Sequence, residues 1–183
     1  MTVADTQLLL SAEDLLVQLQ GMGIDYRTFA HPPLYTVEQS RQIRGSMPGA
    51  HVKNLFLRNK KGKMWLLTCL EDRKIDLKSV RWKLDSGSLS FCSPERLMQY
   101  LGVIPGAVTP FGVINDTGAE VQVVLDKTLL EMNPLNFHPL DNSKTTAISA
   151  GDLIKFLNAT HHPPIVMDFA NPGETDTCSM RET

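Results

Sequence analysis

Leu15, Leu16 and Leu19 recur at helical spacing behind Ser11 and Asp14, and the stripe stops at Gly21 and Gly23. That pattern predicts a first amphipathic helix with a side-chain cap. Residues 24 to 30 read as a short strand ended by His31-Pro32-Pro33, and Thr36 with Gln39 can box the start of a helix from Val37 towards Arg44. The stretch Gly45 to Gly49 breaks that helix. Residues 51 to 58 and 64 to 70 are apolar and rich in strand formers, and Asn59-Lys60-Lys61-Gly62-Lys63 between them has turn chemistry, so they predict a hairpin. Ser93-Pro94-Glu95 opens a helix that closes at Gly102. Strands follow at 121 to 125 and 145 to 148, Ser149 with Asp152 opens a helix to about Leu157, and a last strand runs from Ile165 to Phe169. Helices interleaved with hairpins predict an α+β fold, a mixed β-sheet with helices packed around it, rather than a doubly wound parallel sheet. One domain over residues 1–170 and a polar tail over 171–183 complete the expectation.

The chain has 183 residues, 42% of them apolar and 21% charged. That is long enough to bury a core without a disulfide framework. Cys69, Cys92 and Cys178 are odd in number and widely spaced, which fits a reducing compartment and no paired-cysteine zinc site. The N-terminal stretch lacks a basic cluster and a long apolar run, so a cytoplasmic protein without a membrane anchor is expected. The formal net charge is −2, yet Arg41 to Lys83 carries twelve basic and three acidic residues, leaving −11 for the remainder. A positive zone on an acidic body attracts a polyanion through counterion release, while a solvated hairpin tip plus an exposed helix face gives the same pattern.

Candidate chemistry begins with Lys53. Strand alternation puts His51, Lys53, Leu55 and Leu57 on one face, and Val52, Asn54 and Phe56 on the other. If Leu55 and Leu57 face the core, the Lys53 ammonium points into a pocket, where it must be paired or poised for function. The alternative is a lysine near the strand end that reaches out to water. The segment Gly102 to Gly112 carries three glycines and two prolines, and amides at Gly106 and Ala107 could hold an oxyanion; a structural turn is the other reading. His161 and His162 are adjacent and His31, His51 and His138 scattered, a poor metal pattern, while His138 lies beside apolar residues at a strand end. No nucleophile elbow is present, and Cys69 sits in an apolar strand. Cys92 precedes a helix start, which suits either a lowered thiol pKa or a small packing residue. Trp65, Trp82 and Phe91 could stack on bases or fill a core.

Three ordered segments, His31-Pro-Pro-Leu-Tyr-Thr-Val-Glu38, Val52-Lys53-Asn54-Leu55-Phe56-Leu57 and Leu101-Gly-Val-Ile-Pro-Gly-Ala-Val-Thr-Pro-Phe-Gly112, closely resemble the YbaK/ProX family. That family comprises the editing domain inserted in bacterial prolyl-tRNA synthetases and its free-standing relatives. The similarity spans about residues 8 to 170 and looks most like the free-standing alanyl-tRNA(Pro) deacylase branch. The resemblance implies trans editing, the hydrolysis of the ester joining a wrong amino acid to the terminal adenosine of tRNA(Pro). By resemblance Lys53 is the essential lysine, with Gly106 and Ala107 at the reacting carbonyl. Asn54, His138, Gly102, Pro105, His31 and Tyr35 then bind substrate. No metal or cofactor is implied. The implied partners are the acceptor end of mischarged tRNA(Pro) and prolyl-tRNA synthetase itself, with no membrane. A Cys-tRNA(Pro) deacylase of the same fold and a non-catalytic aminoacyl-tRNA-binding module are the competing readings.

Overall fold

The computed structural model describes residues 8–33, 45 and 47–170. Helix α1 (Ala12–Gly21) starts where the sequence indicates: Ser11 and Asp14 exchange side-chain and backbone hydrogen bonds as a capping box, and Leu15 and Leu19 are fully buried. The helix expected from Val37 and the tail from residue 171 lie outside the described residues.

The strands are β1 (Tyr26–Ala30), β2 (Ala50–Asn59), β3 (Met64–Leu70), β4 (Leu89–Phe91), β5 (Val121–Asp126), β6 (Leu135–Phe137), β7 (Lys144–Ile148) and β8 (Ile165–Met167). They form one mixed sheet in the order β1-β7-β6-β2-β3-β5-β8, with β4 attached to β2. The hairpin β2–β3 is antiparallel, whereas β6 on β2, β5 on β3 and β8 on β5 are parallel. Among the described residues the other α-helices are α2 (Leu77–Lys83), α3 (Pro94–Arg96), which continues as a π-helical turn over Leu97–Leu101, and α4 (Ala150–Ala159), with 3-10 turns at Pro110–Asn115 and Lys127–Glu131.

Branching at β2 shapes the site. Its first residues, Ala50 and His51, pair with β6, and its last, Leu57 to Asn59, pair with β4, while β3 occupies the opposite edge. The middle of β2 therefore has a strand neighbour on one edge only among the described residues.

At the centre of the sheet both faces are covered. Phe56, Leu66, Val123 and Phe137 belong to a large core with Leu15, Leu101, Phe111 and Phe156, where Phe111 meets both Phe137 and Phe156 edge-on at 5.6 and 5.3 Å. Trp65, Leu67, Cys69 and Val124 point the other way, into a smaller cluster with Val80 of α2. A strand covered on both sides reads as a continuous apolar run, which is why β3 shows no alternation. Three elements were not expected from the sequence: α2, β4 and β6. Each is short, and β4 and β6 are three residues long.

Candidate active site

Lys53 and Asn54 sit in the middle of β2, opposite Cys69 and Thr68 of β3. Asn54 faces the large core. Its amide donates to the Val108 carbonyl at 2.9 Å, and its carbonyl oxygen accepts from the buried Thr68 hydroxyl at 2.8 Å. The side chain thus staples the 102–112 loop to the sheet. Lys53 leaves the opposite face, beside Cys69, is half-buried, and donates from Nζ to the Arg73 carbonyl. Lys53 thus shares a face with Leu55 and the buried Leu57 and is paired with a backbone carbonyl, while the Asn54 staple to the 102–112 loop leaves the other face.

The carbonyl that receives Lys53 is itself fixed. Arg73 Nε contacts Asp126 Oδ2 at 3.1 Å, and Nη2 donates to Thr128 Oγ1 at 3.0 Å. Asp126 is fully buried at the end of β5, where its other oxygen accepts from the Thr128 amide at 3.1 Å. Thr68, Arg73 and Asp126 escaped the sequence reading. An aspartate closing an apolar strand and followed by Lys127-Thr128 was the available sign of a buried partner for a cation.

The 102–112 loop is a chain of tight turns. Gly102 ends the π-turn with φ +65°, and an added Cβ would lie 2.4 Å from Asn115 Nδ2. Ala107 donates its amide to the Ile104 carbonyl at 3.1 Å, with Pro105 and Gly106 (φ +91°) in the two central positions, the residue pattern of a type II turn. This corrects the reading of Ala107 as an oxyanion donor, because its amide closes the turn and the residue is buried. Gly106 is exposed, an added Cβ would meet nothing within 4 Å, and no acceptor for its amide is found among the described residues.

The fold brings His31 and His138 together from 107 positions apart in sequence, with ring centroids at 6.3 Å in an edge contact. His31 bonds the Pro32 carbonyl through Nδ1 at 2.9 Å and the Thr145 hydroxyl through Nε2 at 2.8 Å. His138 Nδ1 lies 2.9 Å from the Lys144 carbonyl. A carbonyl acceptor requires the proton on Nδ1. Tyr35 lies outside the described residues.

The remaining chemistry-bearing residues take other roles. Burial pushes the Cys69 thiol up to about 12 and the Cys92 thiol up to about 11, so both behave as packing residues. His162 is buried against Asp116, Nε2 to Oδ2 at 3.0 Å. Burial acts to raise the Asp116 pKa, but hydrogen bonds from His162, Val121 and Glu120 outweigh it and hold the carboxyl below its usual range. Trp65 is core, whereas Trp82 and Phe91 are exposed. Among the described residues no three His, Cys, Asp or Glu side chains gather as a metal-binding group, and no helix is long and apolar enough to cross a membrane.

The sheet branches at β2, and the loop bearing the exposed Pro-Gly turn is stapled to it. The chain belongs to the aminoacyl-tRNA editing domain family, which matches residues 31–156. It is 43% identical over 146 residues to the prolyl-tRNA editing protein ProX of Acetoanaerobium sticklandii, covering 79% of this chain and 89% of that protein. It is 36% identical to the prolyl-tRNA synthetase associated domain-containing protein 1 of Mus musculus, covering 85% and 95% respectively. In fold it resembles a crystal structure described as a candidate trans-editing enzyme for prolyl tRNA synthetase, with a TM-score of 0.67 at 20% identity, covering 88% of this chain and 98% of that one.

Proposed function

We propose that this protein is a trans-editing aminoacyl-tRNA deacylase that hydrolyses the ester of alanine mischarged on tRNA(Pro). Family membership and relatives bearing prolyl-tRNA editing and prolyl-tRNA synthetase associated names support the editing role. The observation that carries the site is the Asn54 staple, which sets the strand bearing Lys53 against the turn bearing Gly106.

On this reading the aminoacylated 3′ end crosses the edge of β2 between β6 and β4, where no strand pairs with it among the described residues. Lys53, held at the Arg73 carbonyl, takes the phosphate or adenosine end on one side. On the other, the Gly106 amide faces the ester carbonyl, with His31 and His138 on the acyl side and Gly102 and Pro105 shaping the bend. An aminoacyl ester is already activated, so positioning water and stabilising the oxyanion suffices, without a covalent nucleophile or metal. Water, assisted by the vicinal ribose hydroxyl, adds to the carbonyl carbon. The carbon–oxygen ester bond then breaks, and the ribose oxygen leaves with a proton.

Selectivity follows from size. A synthetic site built for proline excludes a smaller side chain by only about 1–3 kcal/mol per missing methylene. A second site that admits alanine and sterically rejects the proline ring supplies the missing discrimination. Deacylation of Ala-, Cys- and Pro-tRNA(Pro) side by side tests this. Rapid loss of alanine with an intact prolyl ester is expected and should persist in chelator. Preferential loss of cysteine would reassign the substrate, hydrolysis of the prolyl ester at a comparable rate would refute the sieve, and tRNA binding without turnover would leave only a binding module.

A further inference from the structure

We propose that the solvent face of α2, built on the Arg81–Trp82 pair, is the platform on which the single-stranded 3′ end of the tRNA acceptor arm stacks, with the neighbouring lysines taking its phosphates. This rests on the reading of the substrate as aminoacylated tRNA.

Of the two tryptophans, Trp65 fills the smaller core at 2% exposure, whereas Trp82 leaves 73% of its surface in water. Indoles are rarely left so open, because they are the largest apolar side chains available for burial. Trp82 is also held in place. The Arg81 guanidinium lies over its ring, 5.1 Å from the centroid. Lys78, one turn back and on the same side of the helix, is exposed, as is Lys74 before the helix starts. From Lys74 to Lys83 there are four basic residues and a single acid, Asp76, in a chain whose net charge is −2. Phe91, 61% exposed, belongs to β4, which contacts α2, and pairs in register with Leu57 on the Lys53 side of β2. Aromatic rings interleaved with cations are what single-stranded nucleic acid binds: bases stack on the rings and phosphates meet the charges.

Placement connects this surface to the site. Val80 seats α2 on the cluster of Trp65, Leu67 and Cys69, the face of β2 from which Lys53 emerges. The Lys53 amine is bonded at Arg73, close before the Asp76 cap of α2. Trp82 lies six residues beyond that cap, about 9 Å along the helix at roughly 1.5 Å per residue. A strand whose terminal adenosine is anchored by Lys53 can therefore run along α2 without changing sides of the sheet, its inward nucleotides reaching Trp82.

The test measures KM and kcat of wild type, Trp82→Ala, Trp82→Phe and Arg81→Ala on alanyl-tRNA(Pro) and on alanyl-adenosine, which lacks the inward nucleotides. Trp82→Ala should raise KM for the tRNA about tenfold with little change in kcat, since stacking on one base is worth roughly 5- to 150-fold. Trp82→Phe should recover most of that loss, Arg81→Ala should lower the salt slope of tRNA binding by about one, and the KM penalty should vanish on alanyl-adenosine. An unchanged KM for the tRNA in Trp82→Ala, or an equal penalty on both substrates, overturns the platform. A partner protein retained by wild type and lost by Trp82→Ala, with tRNA binding unchanged, overturns it in favour of a protein interface. Lys53→Ala run alongside separates the two claims: loss of turnover there with no Trp82 effect rejects the platform alone, whereas full turnover in Lys53→Ala rejects the catalytic reading.

Discussion

Asn54→Ala removes both hydrogen bonds of the staple, and the structure allows its cost to be worked out. The bonds to the Val108 carbonyl and from the Thr68 hydroxyl, at 2.9 and 2.8 Å, are lost together. Each contributes about 0.5–1.5 kcal/mol net, and a buried group left without a partner costs about 1–3 kcal/mol. Thr68 is fully buried, so its hydroxyl is such a group. The expected destabilisation is about 2–4 kcal/mol, read from urea unfolding at constant m-value. Thr68→Val deletes the stranded hydroxyl in advance, so in that background Asn54→Ala should cost about 1 kcal/mol, a coupling of 1 kcal/mol or more. Asn54→Asp keeps the acceptor for Thr68 but sets an oxygen against the Val108 carbonyl, and both it and Asn54→Ala should lose deacylation. A cost below about 0.5 kcal/mol in the single variant, or strict additivity in the double, would refute the staple.

Two further substitutions probe the loop and the buried acid. Gly102→Ala must hold a left-handed backbone, at about 1–2 kcal/mol, and drive Asn115 away from a Cβ 2.4 Å distant, so its melting temperature should fall well below that of Gly106→Ala. Gly106→Ala has open space and incurs the backbone strain alone, yet should lose at least tenfold in ester hydrolysis; the opposite order in either assay would contradict the roles given to the two glycines. Asp116 has a folded-state pKa held below its usual range, so its stabilisation is complete above the unfolded value of about 3.9 and is lost as pH falls through the folded value. Asp116→Asn should therefore flatten the acid limb of the stability–pH curve below about pH 4, and an unchanged limb would show that the His162 contact carries no linkage.

The sequence shows the β2–β3 hairpin, the capping box of α1 and the Pro-Gly bend because each has a local cause: turn chemistry, a reciprocal pair of side chains, a required positive φ. It does not show which side of β2 is the large core. Phe56 and Leu57 are both buried, one on each face, so alternation separates Lys53 from Asn54 without saying which of them meets the loop. The Ala107 amide was legible in principle, since a type II turn uses the amide after its glycine to close on the residue before its proline. β6 has too few residues to show a period, yet it carries the chain to His138 and so joins two histidines that nothing local connects. Arg73 read as one charge in a basic span; its role as the carbonyl under Lys53 depends on Asp126, 53 positions away.

We propose that the Lys53 ammonium, anchored at the Arg73 carbonyl, engages the tRNA end of the substrate during hydrolysis. Single-turnover deacylation of Ala-tRNA(Pro) by Lys53→Ala, with the unfolding midpoint measured on the same preparation, tests it most directly. The variant should remain folded and leave the alanyl ester intact, and wild-type turnover from it would remove Lys53 from the reaction.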